Sequence, residues 1–569
     1  MLVPLAIAII VLVVAVLGGR RALSHDAPRI TEGSSIRRFF TYVVLFGLLM
    51  VAGDGVAGLL SRVVDVRTET DFLDDLLAQQ TAFAVVGVPL FVVLAAWTRS
   101  RVRGDDAEAT SRGLALYLTA ASVVPLVLTV TALQSTVAWA LDVPFDSGSH
   151  FAEILVWGTV WLTHQWVERR LVGAGVLTRA GFLGATIGLA VSAAGAVMLL
   201  GGLLARALQI SEVADPGQPS LLQAGAATLV AGLPVWLVCW VLRVRGLQRL
   251  TLWHAYVLLV GVAGGLLTAV VGASVALDRI VVWLVRGADA ASAPGELAAL
   301  PVGLGAVVVG GLVWVHHRGV VRVSGQTGRT EVRRAYDYLL AGVGLLAASV
   351  GLVVMVVAGI EGLAGADVPL VGGGRPLDTV IAAATLLAVG GPVWWVFWHR
   401  VQRAVVTDPV GERRSSSRRV YVLLLFGVAG VVAVGALLAG VAGALQDGFA
   451  GTLGPQTLQA VRYPIALLVT AGLLAAYHWT VYRDDRVVRA ERRHGPRRVV
   501  LVGPADPDVV RALRERTGGT ATLMARTDMA AAPWSVEALD AALHDLPDAA
   551  VVVVADERGD LHTIPVSLP

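Results

Sequence analysis

Residues 35–62 read SIRRFFTYVVLFGLLMVAGDGVAGLLSR. Two arginines stand before a long run of apolar residues, and one carboxylate, Asp54, interrupts that run. A run of this length can cross the hydrocarbon core of a bilayer as a single helix. The stretch therefore predicts a membrane-spanning helix that begins at a basic end.

Similar runs recur along the whole chain of 569 residues, which is 56% hydrophobic and only 15% charged. A soluble domain carries roughly 25% charged residues, so this composition excludes an ordinary soluble globular protein. The first run is Leu2–Leu17, an anchor helix with Arg20 and Arg21 after it, the reverse of the charge order in a cleavable signal peptide. Twelve more runs follow at 39–62, 82–98, 114–140, 152–167, 182–208, 223–242, 253–276, 299–315, 336–360, 379–398, 420–444 and 459–481. We therefore expect an all-α polytopic membrane protein with about 13 transmembrane helices.

The arginines predict the orientation of these helices. Seven loops, at 18–38, 99–112, 168–179, 243–249, 316–334, 399–419 and 483–498, hold 33 of the 45 basic residues, all of which are Arg. The alternate loops hold seven arginines. Because basic residues near helix ends are retained in the cytosol, we expect the N-terminus outside and the C-terminus in the cytosol of a multi-pass protein of the cell (inner) membrane.

The basic start of the first long run is repeated. SIRRFFTY at 35–42 is echoed by EVRRAYDY at 331–338 and by SRRVY at 417–421, with weaker copies near Arg112, Arg179 and Thr251. Each copy begins a helix that runs outward, and a second helix returns. The chain therefore contains six two-helix hairpins that all point the same way, as parallel repeats rather than inverted ones.

A second periodicity distinguishes alternate hairpins. The returning helices of the odd hairpins carry Gly87-Val88-Pro89, Gly232-Leu233-Pro234 and Gly390-Gly391-Pro392, and the even hairpins lack the proline. Three copies of a four-helix unit explain this pattern, arranged with pseudo-threefold symmetry or as a short curved array. The predicted domains are an anchor and linker at 1–35, repeats at 36–171, 177–318 and 330–485, and a cytosolic domain at 496–569.

The last segment changes character after the basic connector 483–498. Strands are predicted at 498–503, 520–525, 549–555 and 561–566, and helices at 506–516 and 535–544. This pattern is typical of a small cytosolic α/β domain. The turn from Val502 to Asp506 lacks the glycine run and the lysine of a phosphate-binding loop, so we interpret Asp506 as a helix cap.

Three sets of residues are candidates for function. The prolines Pro89, Pro234 and Pro392 remove a backbone N–H and predict helix kinks, which could line a cavity but more often only shape packing. The pairs Trp236 and Trp240, and Trp394 and Trp398, precede Arg243 and Arg400 near the predicted cytosolic interface. They form either an aromatic belt with snorkelling arginines or a site for an anionic head group.

Asp54 is the third candidate. A carboxylate inside a span is the usual sign of ion coupling, but the other hairpins place no carboxylate at the equivalent position. Asp54 is therefore either functional, or it reaches the outer interface or hydrogen-bonds to a neighbouring helix.

Other chemistry finds little support in the sequence. The single thiol, Cys239, can form neither an internal disulfide nor a thiolate metal cluster. Several histidines lie at similar depth in the spans, but no second ligand stands at metal-binding spacing. We expect no metal, no cofactor, no catalytic residues and no enzymatic activity, and the small net charge of +3 does not indicate a nucleic-acid partner.

At the repeated Arg-Arg-x-[Phe/Tyr] start and the Pro-[Val/Leu]-[Trp/Phe] helix, the chain resembles uncharacterised bacterial multi-pass membrane proteins built from a repeated two-helix domain of unknown function. The resemblance covers about 36–485, implies architecture only, and departs from its pattern in the third and fourth hairpins. Two functions stay open: a membrane scaffold or sensor coupled to the cytosolic module, or a transporter or channel for a small solute or ion. The expected partners are the lipid bilayer and, through the C-terminal domain, other membrane or cytosolic proteins.

Overall fold

The structure is a computed structural model, and it describes residues 32–66, 73–143, 148–171, 174–210, 220–247, 251–289, 293–322, 331–364, 376–490 and, with short gaps, 496–566. The predicted anchor Leu2–Leu17 lies outside the described residues. Contacts between residues divide the chain into two compact bodies. The first comprises Met1–Tyr421 with Val431–Thr470, and the second comprises Val422–Gly430 with Ala471–Pro569.

The predicted hairpins are present as helices. The first contains α1 (Glu32–Val64), α2 (Leu73–Ala82), π1 (Phe83–Gly87) and α3 (Val88–Gly104), and the short α4 (Asp106–Ala109) follows. The second is α5 (Arg112–Ala140) and α6 (Phe151–Leu171), and the third is α7 (Ala174–Ala207), α8 (Leu221–Trp236) and π2 (Leu237–Val244). The fourth contains α9 (Thr251–Ala255), π3 (Tyr256–Ala263), α10 (Gly264–Val285), α11 (Ala293–Glu296) and α12 (Leu300–Arg322). The fifth is α13 (Glu331–Ala364) and α14 (Pro376–Thr407), followed by α15 (Pro409–Arg414). The sixth contains α16 (Ser416–Phe449), α17 (Pro455–Ala460) and α18 (Arg462–Ala490).

All twelve apolar runs after the anchor coincide with these helices, so the helical class is confirmed. Eleven helices in the described part of the chain are long and apolar enough to cross a membrane. The predicted span 152–167 lies in α6 but is not one of the eleven. Helix α6 is 21 residues long, with Glu153 near one end and Glu168, Arg169 and Arg170 at the other.

The three glycines before the prolines lie at equivalent depths. Gly87 packs against the backbone of Ala52, Gly232 against Ser192 and Gly390 against Ala348, each in the outward helix of the same hairpin. The three contacted residues each follow an aromatic residue (Tyr42, Phe182 or Tyr338) by ten positions. The glycines therefore serve close helix packing, and their common depth supports a four-helix repeat.

The helices around the three prolines differ. The π-helical segment π1 ends immediately before Val88 and Pro89, and π2 begins three residues after Pro234. In contrast, Pro392 lies inside α14, which is α-helical throughout. Each proline removes one backbone hydrogen bond from its helix. In two hairpins a wider π-helical turn lies next to the proline, and in the third the helix stays α-helical.

Within the first body, successive hairpins pack against one another. Helix α1 contacts α5 and α6, α5 contacts α7 and α8, and α7 contacts α12. Helix α10 then contacts α14, and α13 contacts α17. This order of contacts along the chain is expected of a repeat protein.

The C-terminal domain contains a four-stranded mixed sheet. Its strands are β1 (Arg498–Gly503), β2 (Thr520–Ala525), β3 (Ala550–Ala555) and β4 (Leu561–Val566), in the order β2-β1-β3-β4. Strand β1 is parallel to β2 and β3, and β4 is antiparallel to β3. Helix α19 (Val536–His544) contributes Leu539 and Leu543 to the apolar core. The predicted helix 506–516 is described only in part.

Candidate functional site

The basic starts of the first and fifth hairpins hold networks of polar side chains. We call the ends of the helices at which the basic starts lie the arginine-rich end. In the first hairpin, Arg38 Nε donates to Glu108 Oε2 at 2.7 Å, and Arg38 Nη2 donates to Asp105 Oδ2 at 3.4 Å. Tyr42 Oη donates to the other oxygen of Glu108 at 3.1 Å. Asp105 also caps α4 by accepting from the Ala107 N–H. We call this arrangement the arginine clamp.

A second arginine clamp has the same geometry in the fifth hairpin. Arg334 Nε donates to Glu412 Oε1 at 2.9 Å, and Arg334 Nη2 donates to Asp408 Oδ2 at 3.4 Å. Asp408 caps α15 by accepting from the Gly411 N–H. Arg334 also donates to Glu331, which accepts hydrogen bonds from three consecutive serine hydroxyls at 415–417. Each clamp therefore ties the start of an odd hairpin to the loop that precedes the next one.

Aromatic pairs lie beside the clamps. The rings of Tyr42 and Tyr117 are 5.9 Å apart, and those of Tyr338 and Tyr421 are 5.3 Å apart. In the middle four-helix unit, residues 177–318, the corresponding pair is Phe182 and Tyr256, whose rings are 6.0 Å apart. The same two positions of the repeat thus contact each other in all three four-helix units, and only the middle unit lacks a hydroxyl at the first position.

A histidine recurs on the returning helix of each even hairpin. The Nδ1 atoms of His164, His317 and His478 hydrogen-bond to the carbonyl oxygens four residues earlier, at 2.8, 2.9 and 2.9 Å. A carbonyl only accepts, so Nδ1 carries a proton, and Nε2 of a neutral ring with this tautomer can act as an acceptor. His164 Nε2 lies 3.0 Å from Tyr117 Oη, which can donate to it.

The middle unit surrounds its histidine with aromatic rings. His317 is 0% exposed, and its ring lies 5.5 Å from the Trp240 ring and 5.7 Å from the Tyr256 ring. Trp236 Nε1 donates to Tyr256 Oη at 3.1 Å. Segments π2 and π3 carry Trp240 and Tyr256, and π-helical turns are frequent at functional sites.

Glu168 is the most unusual charged residue of the network. It is 0% exposed, and neither carboxylate oxygen has a hydrogen-bond partner among the described residues. Three residues earlier, Gln165 Oε1 accepts from Arg243 Nη1 at 2.6 Å. Arg243 also lies over the Trp161 ring, 5.6 Å from its centre. An unpaired buried carboxylate is costly, so this group requires a specific explanation.

Asp54 lies away from this network. Its neighbours Gly53 and Gly55 pack against Trp157 and against the backbone at Phe83, whereas Asp54 itself is exposed on the surface of α1. The structure therefore does not bring Asp54 together with the other candidate residues.

The candidate head-group residues separate into two groups. Trp240 and Trp398 are buried among protein side chains, which makes them packing residues rather than lipid contacts. Trp236 and Trp394 are half-buried, Arg243 binds Gln165, and Arg400 is exposed over the Phe397 ring at 4.9 Å. The exposed tryptophans are others that sequence reasoning did not select, namely Trp97, Trp166, Trp395 and Trp479. Arg101 and Arg170 lie over two of them, 4.4 and 5.1 Å from the ring centres.

A cavity of about 550 Å³ lies between α7, α10 and α12, near the middle of these helices. Its lining is aliphatic and small, with Leu189, Met198, Val260 and Gly264 among the residues, and Thr268 supplies the hydroxyl. A side-chain carbon at Gly264 would lie 3.7 Å from the Leu259 carbonyl oxygen, an ordinary van der Waals contact. Within the described part of the chain, no group of three or more His, Cys, Asp or Glu residues could hold a metal ion.

In the C-terminal domain, Trp534 covers the carboxyl end of β1. Its ring packs on Gly503, and its Nε1 donates to the Pro504 carbonyl at 2.8 Å. Ligands of parallel sheets usually bind at this position, between strands whose connections diverge. Asp506 accepts from the Asp508 N–H at 2.9 Å, as a helix cap does.

The repeated hairpins, the arginine clamps and the long apolar helices together define the class of this chain: a multi-helical protein with internal repeats and the composition of a membrane protein. Two stretches, residues 38–163 and 334–473, match the family description "Domain of unknown function (DUF5671)". Each stretch spans two hairpins and contains one arginine clamp. Comparison with curated proteins and with solved structures found no match.

Proposed function

We propose that the chain is an integral membrane scaffold of sensor type, which couples a helical membrane domain to a cytosolic α/β module. The observation that carries the proposal is the distribution of polar groups. Buried charged side chains lie near the ends of the helices, most of them at the arginine-rich end, where the two clamps pair them, and Arg462 pairs with Glu361 at the opposite end. The cavity near the middle of the helices is aliphatic. A transporter requires polar side chains that converge at mid-membrane.

The arginine distribution supports the orientation of this scaffold. Arginines near helix ends are retained on the cytosolic side, which would place both clamps and the C-terminal domain on that side. A change at the ends of the hairpins would then occur on the same side of the membrane as the module. The clamps connect consecutive hairpins, so they are suited to transmit such a change along the array.

A flux measurement tests the proposal directly. Purified full-length protein is reconstituted into phosphatidylcholine–phosphatidylglycerol vesicles and assayed with a panel of ions, amino acids and sugars. A scaffold should give no saturable flux above that of empty vesicles. Saturable flux of any member of the panel would refute the proposal and support the alternative.

A second experiment tests the role of the module. A photo-crosslinking amino acid is placed at Met524 or Ile564, which are exposed on the two outer strands of the sheet. A scaffold should give one reproducible crosslinked protein in native membranes from at least one of these sites. The buried Leu501 is the matched control position and should give none.

Transport of a small solute or ion is the second candidate function. The observation that favours it is the π-helical geometry of π1, π2 and π3, because interrupted helices form the binding sites of many transporters.

A further inference from the structure

Glu168 lies at the arginine-rich end of α6, one residue beyond the predicted span 152–167. Its side chain is fully buried, and both oxygens lack hydrogen-bond partners in the described part of the chain. Burial without a partner disfavours the charged form of a carboxylate far more than the neutral acid. The neutral acid needs only one acceptor for its proton.

An acceptor lies beside it. The Ser122 hydroxyl of α5 faces Glu168, is 1% exposed, and has no hydrogen-bond partner among the described residues. A hydroxyl can donate to a carboxylate or accept from a carboxylic acid, but one hydroxyl cannot replace the several hydrogen bonds that a buried carboxylate loses, whereas it satisfies the neutral acid by accepting its proton.

Arg243 supplies the alternative partner for an ionised Glu168. It comes from π2 of the third hairpin and donates to Gln165, which lies on the same face of α6 as Glu168. Arg243 forms no ion pair with Glu168 in the described structure, although the two groups are close enough to interact electrostatically. A carboxylate is a stronger acceptor for a guanidinium than the amide oxygen of a glutamine.

Other titratable groups near Glu168 come from the same elements of the described structure. His164 and Arg169 lie on its own helix, Tyr117 on α5, and Cys239 on π2. His164 is engaged by the Val160 carbonyl and by Tyr117. Two guanidinium groups and few oxygen ligands make the site unfavourable for a metal cation, which requires six or more oxygens in the case of calcium.

We propose that Glu168 is a proton-binding site that controls the contact between the second and third hairpins. In the protonated state, the acid donates to Ser122 and Arg243 stays on Gln165. When the proton leaves to the solution at the arginine-rich end, the carboxylate takes the guanidinium of Arg243 from Gln165. The proton site does not depend on the scaffold function, because it is measured on the purified chain without any partner.

Infrared difference spectroscopy tests this site. Full-length wild type and the Glu168→Gln variant are reconstituted into phosphatidylcholine–phosphatidylglycerol vesicles and taken stepwise from mildly acidic to alkaline pH. The expected result is a carbonyl band of a protonated carboxylic acid that is present in the wild type near neutral pH and lost at alkaline pH. The component of this band that is present near neutral pH and lost at alkaline pH should be absent from Glu168→Gln.

Glu153→Gln is the matched control, because Glu153 lies at the other end of the same helix with a half-exposed carboxylate. It should keep the band. Identical spectra of the wild type and Glu168→Gln would overturn the proposal. So would misfolding of Glu168→Gln, since the amide has the shape and charge of the neutral acid. A band whose loss follows sodium concentration instead of pH would indicate a cation site and would also overturn it.

Discussion

Replacement of Arg38 by Leu should lower the free energy of unfolding by about 3 kcal/mol, because it removes one partner of a buried ion pair. The magnitude follows from burial: the side chain of Arg38 is 12% exposed and that of Glu108 is 6% exposed. Without Arg38, Glu108 keeps the hydrogen bond from the Tyr42 hydroxyl but loses its ion pair. An exposed pair would contribute no more than about 1 kcal/mol.

A double-mutant cycle separates the ion pair from other effects of the substitution. Glu108→Gln keeps an acceptor for Tyr42 and leaves Arg38 with Asp105, which is half-exposed. The double variant Arg38→Leu with Glu108→Gln buries no unpaired charge, so it should recover about 2 kcal/mol relative to the sum of the single losses. The assay is unfolding of the purified protein in mixed micelles, followed by circular dichroism.

The second clamp provides an internal control for this reasoning. Arg334→Leu and Glu412→Gln should give a coupling energy of the same sign, because the contact distances of the two clamps agree within a few tenths of an ångström. Additive losses in both clamps would show that the ion pairs contribute nothing measurable, and the argument from burial would be wrong.

Further predictions concern packing, Asp54 and orientation. Gly232→Val should destabilise the chain by about 2 kcal/mol in the same unfolding assay, because its side chain would meet the backbone of Ser192, whereas Gly311→Val, with open space around it, should be neutral. Asp54→Asn should keep or raise the melting temperature, because an exposed carboxylate in hydrocarbon is costly, and a large decrease would show a structural role. Reporter fusions after Gly325 should indicate the cytosol and those after Asp447 the outside, and the opposite pattern would contradict the arginine argument.

The helices and the sheet could be predicted from the sequence because their signals are local. Apolar runs of spanning length correspond to helices, and the strands of the C-terminal domain begin and end within one residue of the predicted bounds. The repeat was visible because arginines, glycines and prolines recur at fixed positions. The π-helical turns could not be predicted, since Pro89, Pro234 and Pro392 stand in the same motif and yet only two of them lie next to such a turn.

The polar network was largely missed, because its members are far apart in the sequence. Asp105 and Glu108 lie in or near an arginine-rich loop, far in the sequence from Arg38, with which they pair. A usable signal was present: Glu108 and Glu412 each stand three residues before a serine that caps the next span. Glu168 gives no such signal, because a charged residue at the end of a helix is normally solvated, and its burial depends on contacts with other helices.

The middle unit lacks both charged residues of the clamp. Counting back from Phe182 and Tyr256 as from the tyrosines of the other units, the positions of the arginine and the glutamate are Thr178 and Leu247. Both charges are absent together, which is expected if a buried charge without its partner is costly. The middle unit carries Trp240 and Trp253 in its core, with ring centres 6.4 Å apart. A change in charge at this end should therefore act through the clamps of units one and three, which use the ion pair.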